Sequence, residues 1–172
     1  MSPAERRRAK KAEERRARRF HGLLPGGLRQ EIKSVAAEHG CSASSCAAIL
    51  LNYALRDIAS GELDPSSHLR PIVNLRWSYE LAWPGSGDEK ERANYDLSVE
   101  LLGRIKSLAE QLDCSRSSLV GFLLWYSLEA YKSGKFDLVK YRRPLHNPRW
   151  MYKFTWNWEG AAGGNVNFDW TV

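Results

Sequence analysis

The 172-residue sequence has only three cysteines and four histidines, and no stretch approaches the roughly 20 apolar residues of a membrane span. Cys41, Cys46 and Cys114 are odd in number and form no Cys-x-x-Cys pair, so neither a disulfide framework nor a zinc site is indicated. They read as small buried apolar residues. His21, His39, His68 and His146 have no serine, cysteine or carboxylate at a catalytic spacing, and no glycine-rich phosphate loop is present. The chain therefore reads as non-enzymatic, with no metal or cofactor expected. Its basic start lacks the apolar run of a secretory signal, so a cytoplasmic protein is expected, nucleoid-associated if bacterial.

What the chain does have is an excess of positive charge in one place. Lys and Arg number 26 against 20 Asp and Glu. Residues 1–19 hold nine of the basic side chains (Arg6, Arg7, Arg8, Lys10, Lys11, Arg15, Arg16, Arg18 and Arg19) and three of the acidic ones. Removing those nine and three leaves 17 of each sign, so the body is formally neutral and the net +6 belongs to the arm. A run of this kind suits a polyanionic partner, because neutralising phosphates releases their counterions. The arm is expected to be flexible, although its Ala, Glu and Arg content would allow a helix with Glu14 and Arg18 at i, i+4 spacing.

Residues 24–64 and 97–137 align without a gap at an offset of 73, with 17 of 41 positions identical. Among the identical pairs are Leu28/Leu101, Ile32/Ile105, Cys41/Cys114, Ser42/Ser115, Ser44/Ser117, Tyr53/Tyr126 and Gly61/Gly134. The offset continues through Asn74/Asn147, Arg76/Arg149, Trp77/Trp150 and Trp83/Trp156, and carries Asn94 and Asp96 onto Asn167 and Asp169. The organisation is a basic arm over residues 1–19, one unit over 20–91, and a second unit over 92–172 that ends in a further copy of the opening strand.

Each unit carries two apolar stripes at helical spacing, Leu28, Ile32, Val35 and Ala36 followed by Cys46, Ile49, Leu50 and Tyr53 in the first. Ser42 and Ser115 are suited to cap the second helix, and Gly61 and Gly134 to end it. Period-two alternation then marks strands: Trp77, Tyr79, Leu81 and Trp83 share one face, as do Trp150, Tyr152, Phe154, Trp156 and Trp158. Such an aromatic stripe is expected to be core. The turns at 84–87 and 159–164 are expected to close these strands into hairpins with strands at about 92–97 and 165–171, which would widen the sheet. Trp125, on a helix, is expected to be exposed or at an interface, and Asp88, Glu89 and Glu91 to form a solvated turn.

The run Tyr95-Asp96-Leu97-Ser98-Val99-Glu100-Leu101, a strand entering a helix, and the run Cys114-Ser115-Arg116-Ser117-Ser118-Leu119, a turn entering a second helix, resemble the ribbon-helix-helix family of DNA-binding proteins. The likeness covers residues 19–64 and 92–137. It implies an α+β fold of two tandem units in one chain, a pseudo-dimer whose paired strands form a ribbon for the major groove while the second helices hold phosphate at their N-termini. On that reading Ser42, Ser44, Ser115, Arg116 and Ser117 serve as anion sites. Arg19, His21, Leu23, Arg92, Asn94 and Asp96 would face outward, and Arg92 and Asn94 have side chains that can read guanine and adenine edges. The resemblance implies transcriptional repression or accessory work in plasmid maintenance or transfer.

The expected partner is duplex DNA, with further protein partners in a nucleoprotein assembly and a higher oligomer left open; no membrane partner is expected. Two other functions stay open. Aromatic faces alternating with Arg and Lys can stack the bases of single-stranded DNA or RNA, and Trp-rich surfaces can serve as contacts within a larger nucleoprotein complex.

Overall fold

The computed structural model describes residues 1–156 and is a mixed α+β protein. Among those residues it has five α-helices, α1 (Pro3–Ala17), α2 (Gly26–Glu38), α3 (Ala43–Ser60), α4 (Val99–Leu112) and α5 (Arg116–Lys132). Six short strands accompany them: β1 (Arg19–Pro25), β2 (Leu69–Pro71), β3 (Tyr79–Leu81), β4 (Lys90–Asp96), β5 (Arg142–Pro144) and β6 (Tyr152–Phe154). They pair into three antiparallel two-stranded sheets, β1 with β4, β2 with β3 and β5 with β6. No described helix is long and apolar enough to cross a membrane.

The helix boundaries follow local chemistry. Ser42 and Ser115 are N-caps whose Oγ atoms accept the backbone N–H of Ser45 and Ser118, each at 3.1 Å. Gly40 and Asp113 break the tandem helices with φ of 65° and 52°, and Gly61 ends α3 in the left-handed conformation. α3 and α5 pack against each other in the centre, where Tyr53 and Tyr126 stack 6.3 Å apart and Ser127 Oγ donates to the Leu50 carbonyl at 2.5 Å. Ile32, Leu50, Leu51, Ile105, Leu123 and Leu124 are fully buried around them, and so are the three cysteines. Burial pushes the thiols of Cys41, Cys46 and Cys114 up to about 11, 12 and 11.

The offset of 73 residues reappears in the contacts, and several of the matched pairs are exchanged between halves. Leu23 N–H and Asp96 N–H donate to Ser117 Oγ and Ser44 Oγ at 3.4 and 2.9 Å. Leu81 N–H and Phe154 N–H donate to Ser118 Oγ and Ser45 Oγ, both at 2.8 Å. Tyr79 N–H and Tyr152 N–H donate to the carbonyls of Asp113 and Gly40, both at 3.1 Å. Each half is thus bolted to the second helix of the other through the same serines.

Three expectations are corrected. Residues 76–83 do not pair with the strand after the turn at 84–87: β3 pairs back onto β2, and β4 pairs with β1. The loop from 72 to 78 is tightened by Asn74 Oδ1, which accepts the N–H groups of Arg76 and Trp77, so the nearer hairpin closes locally. β4 is left to bury Ala93 and Tyr95 beside Phe20 of β1. The second expected hairpin reaches Trp158 and Asn165–Thr171, outside the described residues.

Secondly, the arm is helical. Ser2 and Glu5 form a reciprocal capping box at its start, and α1 has no buried residue. Thirdly, the aromatic stripe is only partly core: Leu81 is buried, Trp77 and Trp83 are half-buried, and Tyr79 is exposed. Trp125, expected to be exposed or at an interface, is half-buried and stacks on Trp83 with ring centroids 5.8 Å apart.

Candidate nucleic-acid interface

The alternation in β1 and β4 decides which groups the ribbon presents. Phe20, Leu24, Ala93 and Tyr95 are buried, while Arg19, His21, Leu23, Arg92, Asn94 and Asp96 are exposed. Register brings these six together as three cross-strand pairs, Arg19 with Asp96, His21 with Asn94 and Leu23 with Arg92. Arg19 Nε bonds Asp96 Oδ1 at 3.3 Å, which offsets the negative charge that would otherwise stand on the ribbon face. His21 Nδ1 lies 2.5 Å from Asn94 Oδ1. Arg92 stands opposite an apolar neighbour.

The inner face explains a glycine. A Cβ at Gly22 would fall 2.5 Å from Ser117 Oγ and closer still to the Phe20 ring, so the absent side chain lets the Phe20 ring and α5 approach the strand. Phe20 and Tyr95, opposite each other, stack with centroids 6.4 Å apart.

The serines foreseen as anion sites do more than one thing. Ser42 and Ser115 cap their helices, while Ser44 and Ser117 accept amides of the ribbon strands. All four use the oxygen as acceptor and retain the hydroxyl proton for donation. Arg116 is exposed at the first turn of α5. The amide–serine bolts were not anticipated; the identical pairs Ser44/Ser117 and Ser45/Ser118 were their only sequence signal.

The rest of the basic set lies on α1 and the link to β1. Arg6, Arg7, Arg8, Lys10, Lys11, Arg15, Arg16 and Arg18 are all exposed, and α1 runs through Arg18 directly into Arg19 of β1. Beside the ribbon, a cleft of about 460 Å³ opens between the N-terminus of α5 and the β2–β3 hairpin. Gly22 and Leu23 line it on one side, Trp77, Tyr79 and Trp83 on the other, with Ser117 at the helix end. Among the described residues no cluster of His, Cys, Asp or Glu could hold a metal ion.

No protein-family model matches the chain, and no curated protein or solved structure matches it.

Proposed function

We propose that this chain is a non-enzymatic DNA-binding protein, a single-chain pseudo-dimer of two tandem ribbon-helix-helix units that reads duplex DNA with the β1–β4 ribbon. One observation carries the reading. The ribbon is a separate two-stranded sheet with one face buried and the other presenting Arg19, His21, Arg92 and Asn94 to solvent. A two-stranded ribbon fits a major groove about 12 Å wide, whereas a broader sheet does not. The exchanged serine bolts support the pseudo-dimer, because they tie each strand to the other half's second helix.

In this reading α1 and Arg18 supply sequence-independent affinity through phosphate contacts. Ser42, Ser44, Ser115, Arg116 and Ser117 flank the ribbon as hydrogen-bond donors to backbone phosphates, and Arg92 and Asn94 read base edges. Repression, or accessory work in plasmid maintenance or transfer, is the corresponding cellular role. The test is a gel shift with duplex and single-stranded probes, using the full chain and one lacking residues 1–17, over a salt series. Duplex is expected to bind better, and the truncation to remove most of the salt dependence. Stronger binding to single strands, or no binding at low salt, would overturn the reading.

The aromatic cleft favours a second reading, in which an unpaired base stacks against Trp77 or Trp83. Its signature is tryptophan quenching by single-stranded DNA that Trp77→Ala diminishes. An unchanged spectrum at saturating oligonucleotide would sink it.

A further inference from the structure

The two strands of the ribbon are entered by chains of opposite charge. Arg15, Arg16 and Arg18 precede β1; at the offset of 73 the matching positions are Asp88, Glu89 and Glu91, with Lys90 among them in the place of Ala17. The positions correspond in space as well as in sequence, since Leu97 N–H donates to the Arg18 carbonyl just as the register sets Glu91 opposite Leu24. Glu91 further holds Arg29 at 3.0 Å, which takes up that cation, and Asp88 and Glu89 are exposed. The ribbon therefore has a cationic end and an anionic end, although its backbone pairing is nearly two-fold about His21 and Asn94.

On the cationic end the helix is phased with the ribbon. Arg8, Lys11, Ala12, Arg15 and Arg16 recur at i, i+3, i+4, i+7 and i+8, so they share one face of α1, and Glu13 and Glu14 fall off it. With Arg19 those residues line one shallow groove of about 400 Å³. Arg19 is also an outward residue of β1, so the basic face of the helix continues into the face of the ribbon. A helix of 15 residues is about 22 Å long, the axial rise of about six base pairs.

We propose that the protein occupies duplex DNA in one orientation, with α1 tracking about six base pairs beyond the ribbon on one flank while Asp88 and Glu89, just ahead of β4, keep the other flank uncovered. This rests on the duplex-reading proposal above. Phosphates attract the arginine stripe and repel Asp88 and Glu89, so the two flanks differ in sign and not merely in length.

The experiment is hydroxyl-radical footprinting on a duplex enriched from a random pool by the full chain. The full chain is expected to protect one flank further than the other, and deletion of residues 1–17 to trim that flank alone. Ala12→Pro keeps every charge but breaks the helix, and because α1 has no buried residue it leaves the body folded; it is expected to shorten the same flank. Asp88→Arg with Glu89→Arg is expected to extend protection on the opposite flank. Equal flanks for the full chain, or a deletion that trims both or neither, would overturn the orientation. Flank protection unchanged by Ala12→Pro would overturn helical tracking. A pool that enriches no duplex would overturn the DNA reading and this inference together, whereas a symmetric footprint would overturn the inference alone.

Discussion

His21 and Asn94 meet at the centre of the ribbon, and at the offset of 73 they are the same position of the repeat. In the pairing of Nδ1 with Oδ1 at 2.5 Å the amide oxygen accepts, so that ring nitrogen is the donor. Asn94 keeps both amide protons. Both side chains are exposed. Replacing either by alanine is expected to change stability by less than about 0.5 kcal/mol. On the proposed duplex reading, discrimination between duplex sequences should fall while salt-dependent affinity remains; competition binding with specific and random duplexes, set beside urea melts, checks both halves.

Asp57 is buried in α3, only 4% exposed, and accepts from Tyr126 Oη of α5 at 2.6 Å, with Arg56 at 3.4 Å. Burial, reinforced by that hydrogen bond to the carboxylate, pushes the Tyr126 hydroxyl well above the ordinary tyrosine range. Tyr126→Phe would strip one partner from a buried carboxylate and is expected to cost about 1.5–3 kcal/mol. The urea midpoint should drop with an unchanged slope, and an unchanged midpoint would show that the bond contributes nothing net.

Tyr95 presents the opposite case. Its hydroxyl is buried with no hydrogen-bond partner among the described residues, and burial pushes it up to about 12. Tyr95→Phe retains the stack on Phe20 and removes an unpaired polar atom. The variant is expected to be as stable as the parent or more so by about 1 kcal/mol, measured by thermal unfolding.

His39, 9% exposed, is edge-on to Tyr131 and Phe154 and bonded through Nε2 to Tyr131 Oη at 3.1 Å. Burial, with Arg142 nearby, lowers its pKa below 6.5, against the opposing pull of Glu38 and Asp137. The fold thus disfavours the protonated ring. This histidine costs nothing above its unfolded pKa, and it destabilises progressively as pH falls from about 6.5 to the folded value. His39→Gln should flatten that part of the stability profile; an identical slope in urea melts between pH 7 and 5 would refute it.

Much of this organisation was legible from residues alone. Helical spacing located α2 to α5, Ser42, Ser115 and Gly61 marked their ends, and alternation, taken with the likeness to a two-stranded ribbon, assigned Arg19, His21 and Leu23, with Arg92, Asn94 and Asp96, to the outward face of their strands. Alternation states which face of a strand is buried, but not which strand lies beside it. The turn at 84–87 therefore suggested the wrong partner for β4, and the bond of Tyr126 to Asp57, between side chains 69 positions apart, left no local trace.

The repeat, the confinement of net charge to residues 1–19 and the alternation within each ribbon strand are readable from residues alone, because they depend on order and spacing along one chain. It took the packed chain to establish that β4 pairs with β1, that Ser44 and Ser117 bolt the ribbon to the opposite helices, and that a basic helical face runs into Arg19. Those outcomes depend on burying the inner faces of two distant strands over one shared helical core, a requirement that only the assembled fold can meet.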